Sequence, residues 1–216
     1  RINAALYAYE WDDLQVSQVE TVDGTPTTRI VNAGSAERWG GEIEVQVVPI
    51  EDMVVGLSYS YLDGDFEEFP ELCGDNAPTD CIPGEDFANR GASPDNQFNL
   101  YADYLFARTD FGEITGWVNL NWQDEWFTTA ASTAVIDGTP VVYEPQVMDE
   151  RTVIDARLSL ENIEMGDGNL RVTLWGKNLT DEDYSIYGIN FGANLGLLTE
   201  NYGDPRTWGL EVAYEY

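Results

Sequence analysis

The feature that most constrains this chain is a repeated alternation of apolar and polar residues with a period of two, the period of a β-strand. The last segment shows it most clearly, with one apolar side and one polar side: Trp208, Leu210, Val212, Tyr214 and Tyr216 against Thr207, Gly209, Glu211, Ala213 and Glu215. Helical periodicity is nearly absent. The chain is therefore predicted to be all-β, an antiparallel meander of about eight strands that ends at Tyr216.

Six upstream segments show the same division. Their apolar sides are Trp39, Ile43, Val45 and Val47; Val55, Leu57, Tyr59 and Tyr61; Phe98, Leu100, Ala102, Tyr104 and Phe106; Val118, Leu120 and Trp122; Ile154, Ala156, Leu158 and Leu160; and Leu170, Val172 and Leu174. A first strand is predicted over roughly Ile2 to Val16. The sequence does not decide which side of this strand faces outward, because Tyr7, Tyr9 and Trp11 on one side and Leu6 and Ala8 on the other are both suited to an apolar surface.

The connections between these segments alternate in length. The short ones are turn-like: Pro49 to Asp52, Ala107 to Gly112 and Glu164 to Gly168. The long ones run roughly from Ser17 to Ala36, Asp63 to Ser93, Asp124 to Glu150 and Leu179 to Asp204. Asp23-Gly24 and Asp137-Gly138 are predicted tips of hairpins within two of them. Short turns at one end and long loops at the other are typical of bacterial outer-membrane barrels.

Composition excludes several classes of function. Forty acidic residues oppose ten basic ones without any histidine, which gives a formal net charge of -30. Such a chain repels nucleic acid phosphates, so a nucleic-acid role is not expected. Catalytic pairs that need histidine are absent, and neither an enzyme activity nor a cofactor is predicted. No apolar run is long enough for a transmembrane helix, whereas a barrel needs only alternation.

The polar sides of the strands indicate a wide, hydrated interior. They carry more acids than bases: Glu42, Glu44, Asp103, Asp155, Glu161, Glu211 and Glu215 against Arg38, Arg157, Arg171 and Lys177. A dry interior could not hold the surplus charge unpaired. A closed eight-stranded barrel is filled by its own side chains, so the surplus favours a larger barrel. Trp122, Trp126, Phe127, Tyr59, Tyr61 and Tyr104 are interpreted as aromatics at the membrane interfaces.

The segment between the second and third of these sets is acidic and carries both cysteines. Nine carboxylates and no basic residue lie between Asp63 and Asn89. A solvated loop is the preferred interpretation over a cation site, because the spacing of a calcium-binding loop is missing. Cys73 and Cys81 are predicted to form a disulfide in an oxidising compartment, with two free thiols as the alternative.

Two stretches near the C-terminus form a recognisable pattern: Trp175-Gly176-Lys177-Asn178-Leu179-Thr180-Asp181-Glu182-Asp183-Tyr184 and Gly203-Asp204-Pro205-Arg206-Thr207-Trp208-Gly209. They resemble the corresponding stretches of TonB-dependent outer-membrane receptors. In that family a similar Asn-Leu-Thr-Asp stretch precedes a Pro-Arg-Thr-aromatic-Gly opening of the final strand. Near the start, Asn32-Ala33-Gly34 leading to Gly41-Glu42 is similar to a strand entry of the same family. The resemblance spans the chain.

This resemblance implies a barrel of about 22 strands, closed around an N-terminal plug that carries a short TonB-contacting box. Residues 1–216 would be the C-terminal part of that barrel, and neither plug nor box is found in them. Arg1 opens directly into strand-like sequence, so the chain is expected to be cut from something longer. The implied location is the outer membrane of a Gram-negative bacterium, and the implied partners are its lipid, the missing plug and strands, and the TonB complex through the plug.

The resemblance also implies roles for particular residues. Gly209, Val212, Tyr214 and terminal Tyr216 resemble the signal read by the barrel-insertion machinery. Loop aromatics are candidate ligand contacts, namely Phe66, Phe69, Tyr143 and Tyr187. The sequence does not identify the ligand.

The function predicted first is TonB-energised uptake of a scarce nutrient, either a ferric siderophore, cobalamin or an oligosaccharide. One alternative is a self-contained small outer-membrane barrel with a structural or adhesive role. The other is a secreted β-sandwich that binds carbohydrate.

Overall fold

The structure is a computed structural model, and every regular element in its described part is a β-strand. It describes residues 1–13, 15–22, 25–32, 35–66, 93–129, 132–136, 139–143, 146–190 and 197–216. In this part of the chain no helix has the length and apolarity that a membrane crossing needs. The strands are β1 (Ile2–Trp11), β2 (Gln15–Val22), β3 (Thr25–Asn32), β4 (Ala36–Val47), β5 (Met53–Phe66), β6 (Asn96–Thr109), β7 (Gly112–Gln123), β8 (Trp126–Thr129), β9 (Ser132–Ile136), β10 (Thr139–Tyr143), β11 (Gln146–Met148), β12 (Arg151–Met165), β13 (Gly168–Lys177), β14 (Ser185–Asn190), β15 (Leu198–Tyr202) and β16 (Thr207–Glu215).

Eight of these strands form one antiparallel sheet in the order β1-β4-β5-β6-β7-β12-β13-β16. The predicted all-β meander of eight strands is confirmed. Among the described residues, β1 pairs only with β4 and β16 only with β13, so both edges of the sheet are open. A small barrel closed on itself would pair these two edge strands with each other. The open sheet therefore does not fit the self-contained barrel considered as an alternative.

The register carries the predicted alternation across the whole sheet, because directly paired residues project from the same face. One row of paired residues is entirely apolar: Ile2, Val45, Leu57, Leu100, Leu120 and Ile154. The row one residue along is mostly polar: Asn3, Glu44, Ser58, Asn99, Asn121 and Val153. We call the side of the first row the apolar face and the side of the second the polar face.

The apolar face is not covered by a second layer of the described chain. Leu6 is 90% exposed, Leu210 67% and Val212 61%. Ala36 and Met148 are the only buried hydrophobic residues in the described part. The accessible surface is 14123 Å², whereas a compact protein of 24.2 kDa exposes about 10,000 Å². A β-sandwich would bury these apolar rows between two sheets, so the sandwich alternative does not fit either.

Short connections lie at one end of the sheet, which we call the turn end, and long ones at the other, the loop end. The turn end joins β4 to β5, β6 to β7 and β12 to β13. The loop end carries three hairpin regions: β2 with β3, β8 to β11, and β14 with β15. The long connection from β5 to β6 falls mostly outside the described residues. This is the predicted asymmetry of turns and loops.

Two expectations about the loop end need correction. The first strand was predicted to run to Val16, but β1 ends at Trp11 and β2 begins at Gln15. Between them Asp13 has a φ of 55°, a left-handed conformation that an aspartate tolerates and that ends the strand. The connection from Leu179 to Asp204 was predicted only as a long one, with no strand in it, but it contains the β14–β15 hairpin.

The hairpins expected around two Asp-Gly pairs are confirmed by their flanking residues. Val22 pairs with Thr25 at the end of the β2–β3 hairpin, and Ile136 pairs with Thr139 at the end of the β9–β10 hairpin. Both registers leave two residues for the tip, as a two-residue turn requires. The tips themselves, Asp23-Gly24 and Asp137-Gly138, lie outside the described residues.

Aromatic rings fill the space beside several glycines of the strands and beside Gly203, which follows β15. A Cβ at each of these glycines would lie within 3 Å of a ring atom on a neighbouring segment. The pairs are Gly40 with Tyr7, Gly56 with Tyr101, Gly116 with Phe106, Gly168 with Tyr214, Gly203 with Tyr184 and Gly209 with Trp175. Glycine within a strand commonly marks such a close approach, and the ring restores the packing that the glycine lacks.

Candidate functional site

The polar face carries most of the charged side chains of the sheet, and the register shows which residues of β1 belong to it. Tyr7 pairs with Gly40 and Tyr9 with Arg38, both on the polar face. The rings of Tyr7 and Tyr9 stack with their centroids 6.2 Å apart, and Trp11 lies 4.5 Å beyond Tyr9. Period-two analysis could not find this, because both sides of β1 contain apolar residues.

Hydrogen bonds between side chains cross the polar face from strand to strand. Asn3 Nδ2 donates to Glu44 at 3.0 Å, and Gln46 Nε2 donates to the Tyr101 hydroxyl at 3.0 Å above Gly56. This face is therefore a hydrated, hydrogen-bonded wall, in agreement with the predicted interior set of charged residues.

A groove of about 690 Å³ crosses the polar face over β7, β12, β13 and β16. Its charged and aromatic lining consists of Arg157, Arg171, Lys177, Asp155, Glu161, Glu211, Trp117 and Trp175. The Arg157 guanidinium lies 4.8 Å from the ring centroid of Trp117, a cation–π distance. The Trp175 ring occupies the space above Gly209. Neither Trp117 nor Trp175 was predicted as a site residue from the sequence, although both occupy the alternate positions of their strands that face the polar side.

Asn178 is the centre of a hydrogen-bonded hub where β13 ends. Its side chain is 2% exposed and its φ is 48°. Nδ2 donates to the carbonyl oxygens of Glu182 and Asp204 at 2.8 and 3.1 Å, while Oδ1 accepts from the Glu182 N–H at 2.9 Å and the Thr180 hydroxyl at 3.2 Å. The Asn178 N–H donates to Asp155 at 2.9 Å. The hub ties the end of β13 to the start of β16 and to β12.

Two further contacts hold the base of the β14–β15 hairpin. The Arg151 guanidinium lies 4.5 Å from the ring centroid of Tyr184, and that ring covers Gly203. Arg206 forms an ion pair with Asp181 at 2.9 Å. The family-like stretches from Trp175 to Tyr184 and from Gly203 to Gly209 are thus in contact with each other, so they have a structural role whatever else they do.

Carboxylates gather where β5, β6 and β7 reach the loop end. Burial raises the pKa of Asp95, and the negative charges of Asp63 and Asp124 raise it further. The positive charge of Arg38 acts in the opposite direction. Asn96 Nδ2 donates to Asp124 at 3.1 Å, and Asn96 Oδ1 accepts from the Tyr59 hydroxyl at 2.6 Å. No group of three or more potential metal ligands is found among the described residues. Of the acidic segment considered as a cation site, Asp63 and Asp65 lie in β5 and the rest, from residue 67 on, lies outside the described residues.

The candidate ligand contacts belong to elements of the loop end. Phe66 is the last residue of β5, Tyr143 the last of β10, and Tyr187 lies in β14. Tyr187 is 49% exposed. Phe69, Cys73 and Cys81 lie outside the described residues, so a fourth contact and the disulfide stay predictions.

The proposed insertion signal lies along the open edge strand β16. Val212 and Tyr214 project from the apolar face, and the Tyr214 hydroxyl donates to the carbonyl oxygen of Met165, the last residue of β12, at 3.0 Å. Tyr216 is fully exposed. Gly209 lies on the other face, beneath Trp175. These residues therefore do not share one face.

Comparison with solved structures places the whole sheet within known receptors. The ferric yersiniabactin uptake receptor FyuA from Yersinia pestis matches 100% of this chain at 15% identity with a TM-score of 0.65. The ferric preacinetobactin receptor BauA from Acinetobacter baumannii matches 99% at 21% identity with a TM-score of 0.60. The siderophore receptor PiuA from Acinetobacter baumannii matches 99% at 14% identity with a TM-score of 0.63.

The chain covers 27%, 27% and 25% of these three receptors, so it spans about a quarter of their length. No curated protein matches it. At this identity the structural likeness shows the fold alone.

The family model for the β-barrel of TonB-dependent receptor-like proteins matches residues 1–179, most of the chain. The members of this family are receptors and transporters of the Gram-negative outer membrane rather than enzymes. The open sheet, with an uncovered apolar face and a hydrated polar face, is the geometry of a section of such a barrel wall. The chain belongs to the TonB-dependent receptor β-barrel family.

Proposed function

We propose that this chain is part of the wall of a receptor that imports a ferric siderophore across the outer membrane, driven by TonB. The observation that carries the proposal is the family match over residues 1–179. The names of the structurally similar receptors, which take up ferric yersiniabactin or ferric preacinetobactin, motivate the choice of substrate class. The polar face would line the route of the nutrient, and the apolar face would contact lipid.

In this proposal residues 1–216 are the C-terminal part of the barrel. A plug and the earlier strands would complete the receptor, and TonB would act on the plug. The open edges of β1 and β16 support this arrangement, because unpaired edges need further strands as partners. The barrel-insertion machinery would recognise the C-terminal strand, through Gly209, Val212, Tyr214 and Tyr216.

The loop end would face the outside of the cell and select the nutrient. Phe66, Phe69, Tyr143 and Tyr187 are the proposed contacts, since aromatic side chains offer large faces to a bound ligand. A Cys73–Cys81 disulfide would restrict the loop that carries Phe69.

Uptake of ⁵⁵Fe tests the proposal. The full-length receptor is expressed in a host that lacks its own ferric siderophore receptors, and the cells are given ⁵⁵Fe bound to catecholate, hydroxamate or mixed-ligand siderophores. We expect uptake of at least one of these chelates, and its loss when the host lacks TonB. Absence of energised uptake of every ferric chelate, with the receptor folded in the outer membrane, would contradict the proposal. Cobalamin and an oligosaccharide serve as the comparison nutrients.

Tyr187 tests the role of the loop end in the same assay. Tyr187→Ala should raise the siderophore concentration needed for half-maximal uptake about tenfold, the effect expected when one buried aromatic contact is lost. Phe111→Ala is the matched control, because Phe111 is also an exposed aromatic, 62% against 49% for Tyr187, and lies in a turn-end connection. Equal effects of the two substitutions would remove Tyr187 from the ligand site.

A further inference from the structure

We propose that Met148 is a positioning residue for Tyr187. Its side chain holds the β14–β15 hairpin against the paired strands β8 and β11, which we call the β8–β11 ribbon. The two hairpin regions then form one packed arm of the loop end, and Tyr187 keeps a fixed place in it. The inference rests on the proposed uptake function, because Tyr187 is a proposed contact of the nutrient. It adds a residue that sets affinity without touching the nutrient.

Met148 is buried in a part of the molecule where burial is unusual. It is 0% exposed, and its side chain is the largest fully buried one among the described residues. Within the ribbon Met148 pairs with Trp126 of β8. A two-stranded ribbon has too few residues to enclose a side chain by itself. Another element must therefore cover Met148.

The β14–β15 hairpin packs against the ribbon. Its strand β14 contacts both β8 and β11. Gly188, within β14, is buried, whereas its neighbour Tyr187 is 49% exposed. Successive residues of a strand face opposite sides. The hairpin thus turns the side of Gly188 inward and presents Tyr187 on the other side.

A second contact joins the same two regions at their base. Arg151 begins β12 shortly after Met148, and its guanidinium lies 4.5 Å from the ring centroid of Tyr184, which directly precedes β14. Arg151 Nε is buried and donates no hydrogen bond within the described chain. Cation–π attraction is stronger where the cation is shielded from water in this way. The ribbon and the hairpin are therefore joined at two levels.

The packing of the hairpin affects the affinity for the nutrient. A two-stranded hairpin without further support is only marginally stable, and a mobile contact residue loses conformational entropy when it binds a ligand. Packing against Met148 removes this cost before the nutrient arrives. A cavity in place of the side chain loosens the hairpin, so the nutrient must order it on binding. Affinity then falls, while the rate of passage through the barrel stays the same.

Uptake of ⁵⁵Fe by the full-length receptor separates positioning from folding. Met148→Ala should raise the half-saturating chelate concentration, by no more than the roughly tenfold change expected for Tyr187→Ala, and leave the maximal rate per folded receptor unchanged. Met148→Leu should retain the parent value, because leucine has a similar volume. The double variant Met148→Ala/Tyr187→Ala should equal Tyr187→Ala alone, since both changes act through one contact.

Met165→Ala is the matched control for these variants. Met165 is also a methionine, but it is 58% exposed and ends β12 at the turn end. Gel mobility before and after heating measures the amount of folded receptor for each variant.

A distance measurement tests the packing without any nutrient. Spin labels at positions 149 and 201 of the full-length receptor in detergent, with Cys73 and Cys81 replaced by serine, report on the two regions. Asp149 directly follows β11, Asn201 pairs with Tyr187, and both are exposed. Pulsed electron paramagnetic resonance should give one narrow distance for the parent and for Met148→Leu, and a broad distribution for Met148→Ala.

An equally narrow distance in Met148→Ala, or an unchanged half-saturating concentration, would overturn the inference. So would a loss of maximal rate alone, which is the effect of a receptor with a structural defect, or an equal change in Met165→Ala. The proposed function fails separately, when the parent receptor imports no ferric chelate at all. A parent that imports iron while Met148→Ala imports it with the same affinity contradicts the role of Met148 alone.

Discussion

At the scale of single residues, Asn178 links the end of β13 to the start of β16 through its side-chain amide and to β12 through its backbone N–H. Its left-handed φ and its four side-chain hydrogen bonds are separate requirements, and asparagine meets both. Asn178→Gly removes the bonds but keeps the backbone conformation, and should lower the free energy of unfolding by about 2 kcal/mol or more, since buried carbonyl oxygens lose their donors. Asn178→Ala should cost about 1 kcal/mol more, because alanine is strained at this φ.

Urea titration of the folded receptor in lipid measures both variants of Asn178. If alanine is tolerated as well as glycine, then the left-handed conformation does not limit this position. If neither substitution lowers stability, then the hub does not hold the end of β13.

Gly209 has a packing role that the sequence alone did not reveal. A Cβ there would lie 2.6 Å from the Trp175 ring, so Gly209→Ala should displace the ring and lower the fraction of receptor folded in the outer membrane. Adding Trp175→Leu should restore that fraction, because the smaller side chain makes room. Heat-modifiable gel mobility measures it. If the double variant stays defective, the glycine is needed for recognition by the insertion machinery and not for packing.

At the scale of elements, the turn between β4 and β5 is fastened to β6 by one ion pair. Arg108 donates two N–H groups to Asp52, the second at 2.7 Å. The hydrogen bond from Arg108 lowers the pKa of Asp52. Because the folded-state pKa lies below the unfolded one, the pair stabilises the turn above the unfolded-state pKa, and this contribution is lost as pH falls through the folded-state pKa.

Asp52→Asn should therefore reduce stability at pH 7 and have no effect once the pH is below the lowered folded-state pKa of Asp52, where the native carboxyl is also protonated. The effect is small, because both side chains are partly exposed. Thermal unfolding of the two proteins across this pH range measures the difference. Asp110→Asn, in the neighbouring turn, is the control. A difference that persists unchanged at acid pH would mean that the charge of Asp52 is not involved.

The strands differ in how well their facing and pairing could be predicted from the sequence alone. The faces of β16 were predictable, because lipid on one side and water on the other force opposite residue types onto alternate positions. Those of β1 were not, because aromatic residues also occur on the polar face, and only pairing with β4 places Tyr7 and Tyr9 there. The β14–β15 hairpin was missed because its pairing is irregular between Ser185 and Tyr187.

The candidate groove was harder to predict from the sequence than the faces of single strands. The facing of the charged residues was predictable for each strand separately, because they occupy alternate positions along it. That Arg157 lies between Trp117 and Trp175 depends on the register between β7, β12 and β13. A shift by one residue would reverse the facing of every side chain on a strand. The fold class therefore follows from each strand alone, whereas the site follows from how the strands align.

At the scale of the whole molecule, the single-layer sheet determines how the isolated chain behaves. Its apolar face stays exposed in water, so the chain should aggregate without detergent. Light scattering should show large particles in buffer and small uniform ones in micelles. A monodisperse monomer at millimolar concentration in plain buffer would show that the apolar rows find a partner within the chain.

The central claim is that one face of this sheet contacts lipid and the other contacts water. Spin labels placed singly along β16 of the full-length receptor in bilayers, with Cys73 and Cys81 replaced by serine, test it directly. Oxygen, which partitions into lipid, should relax labels at positions 208, 210 and 212, and a water-soluble nickel chelate should favour 207, 211 and 213. A period of two in opposite phase for the two reagents is the predicted result. Accessibility without alternation, or with the two phases exchanged, would contradict the account.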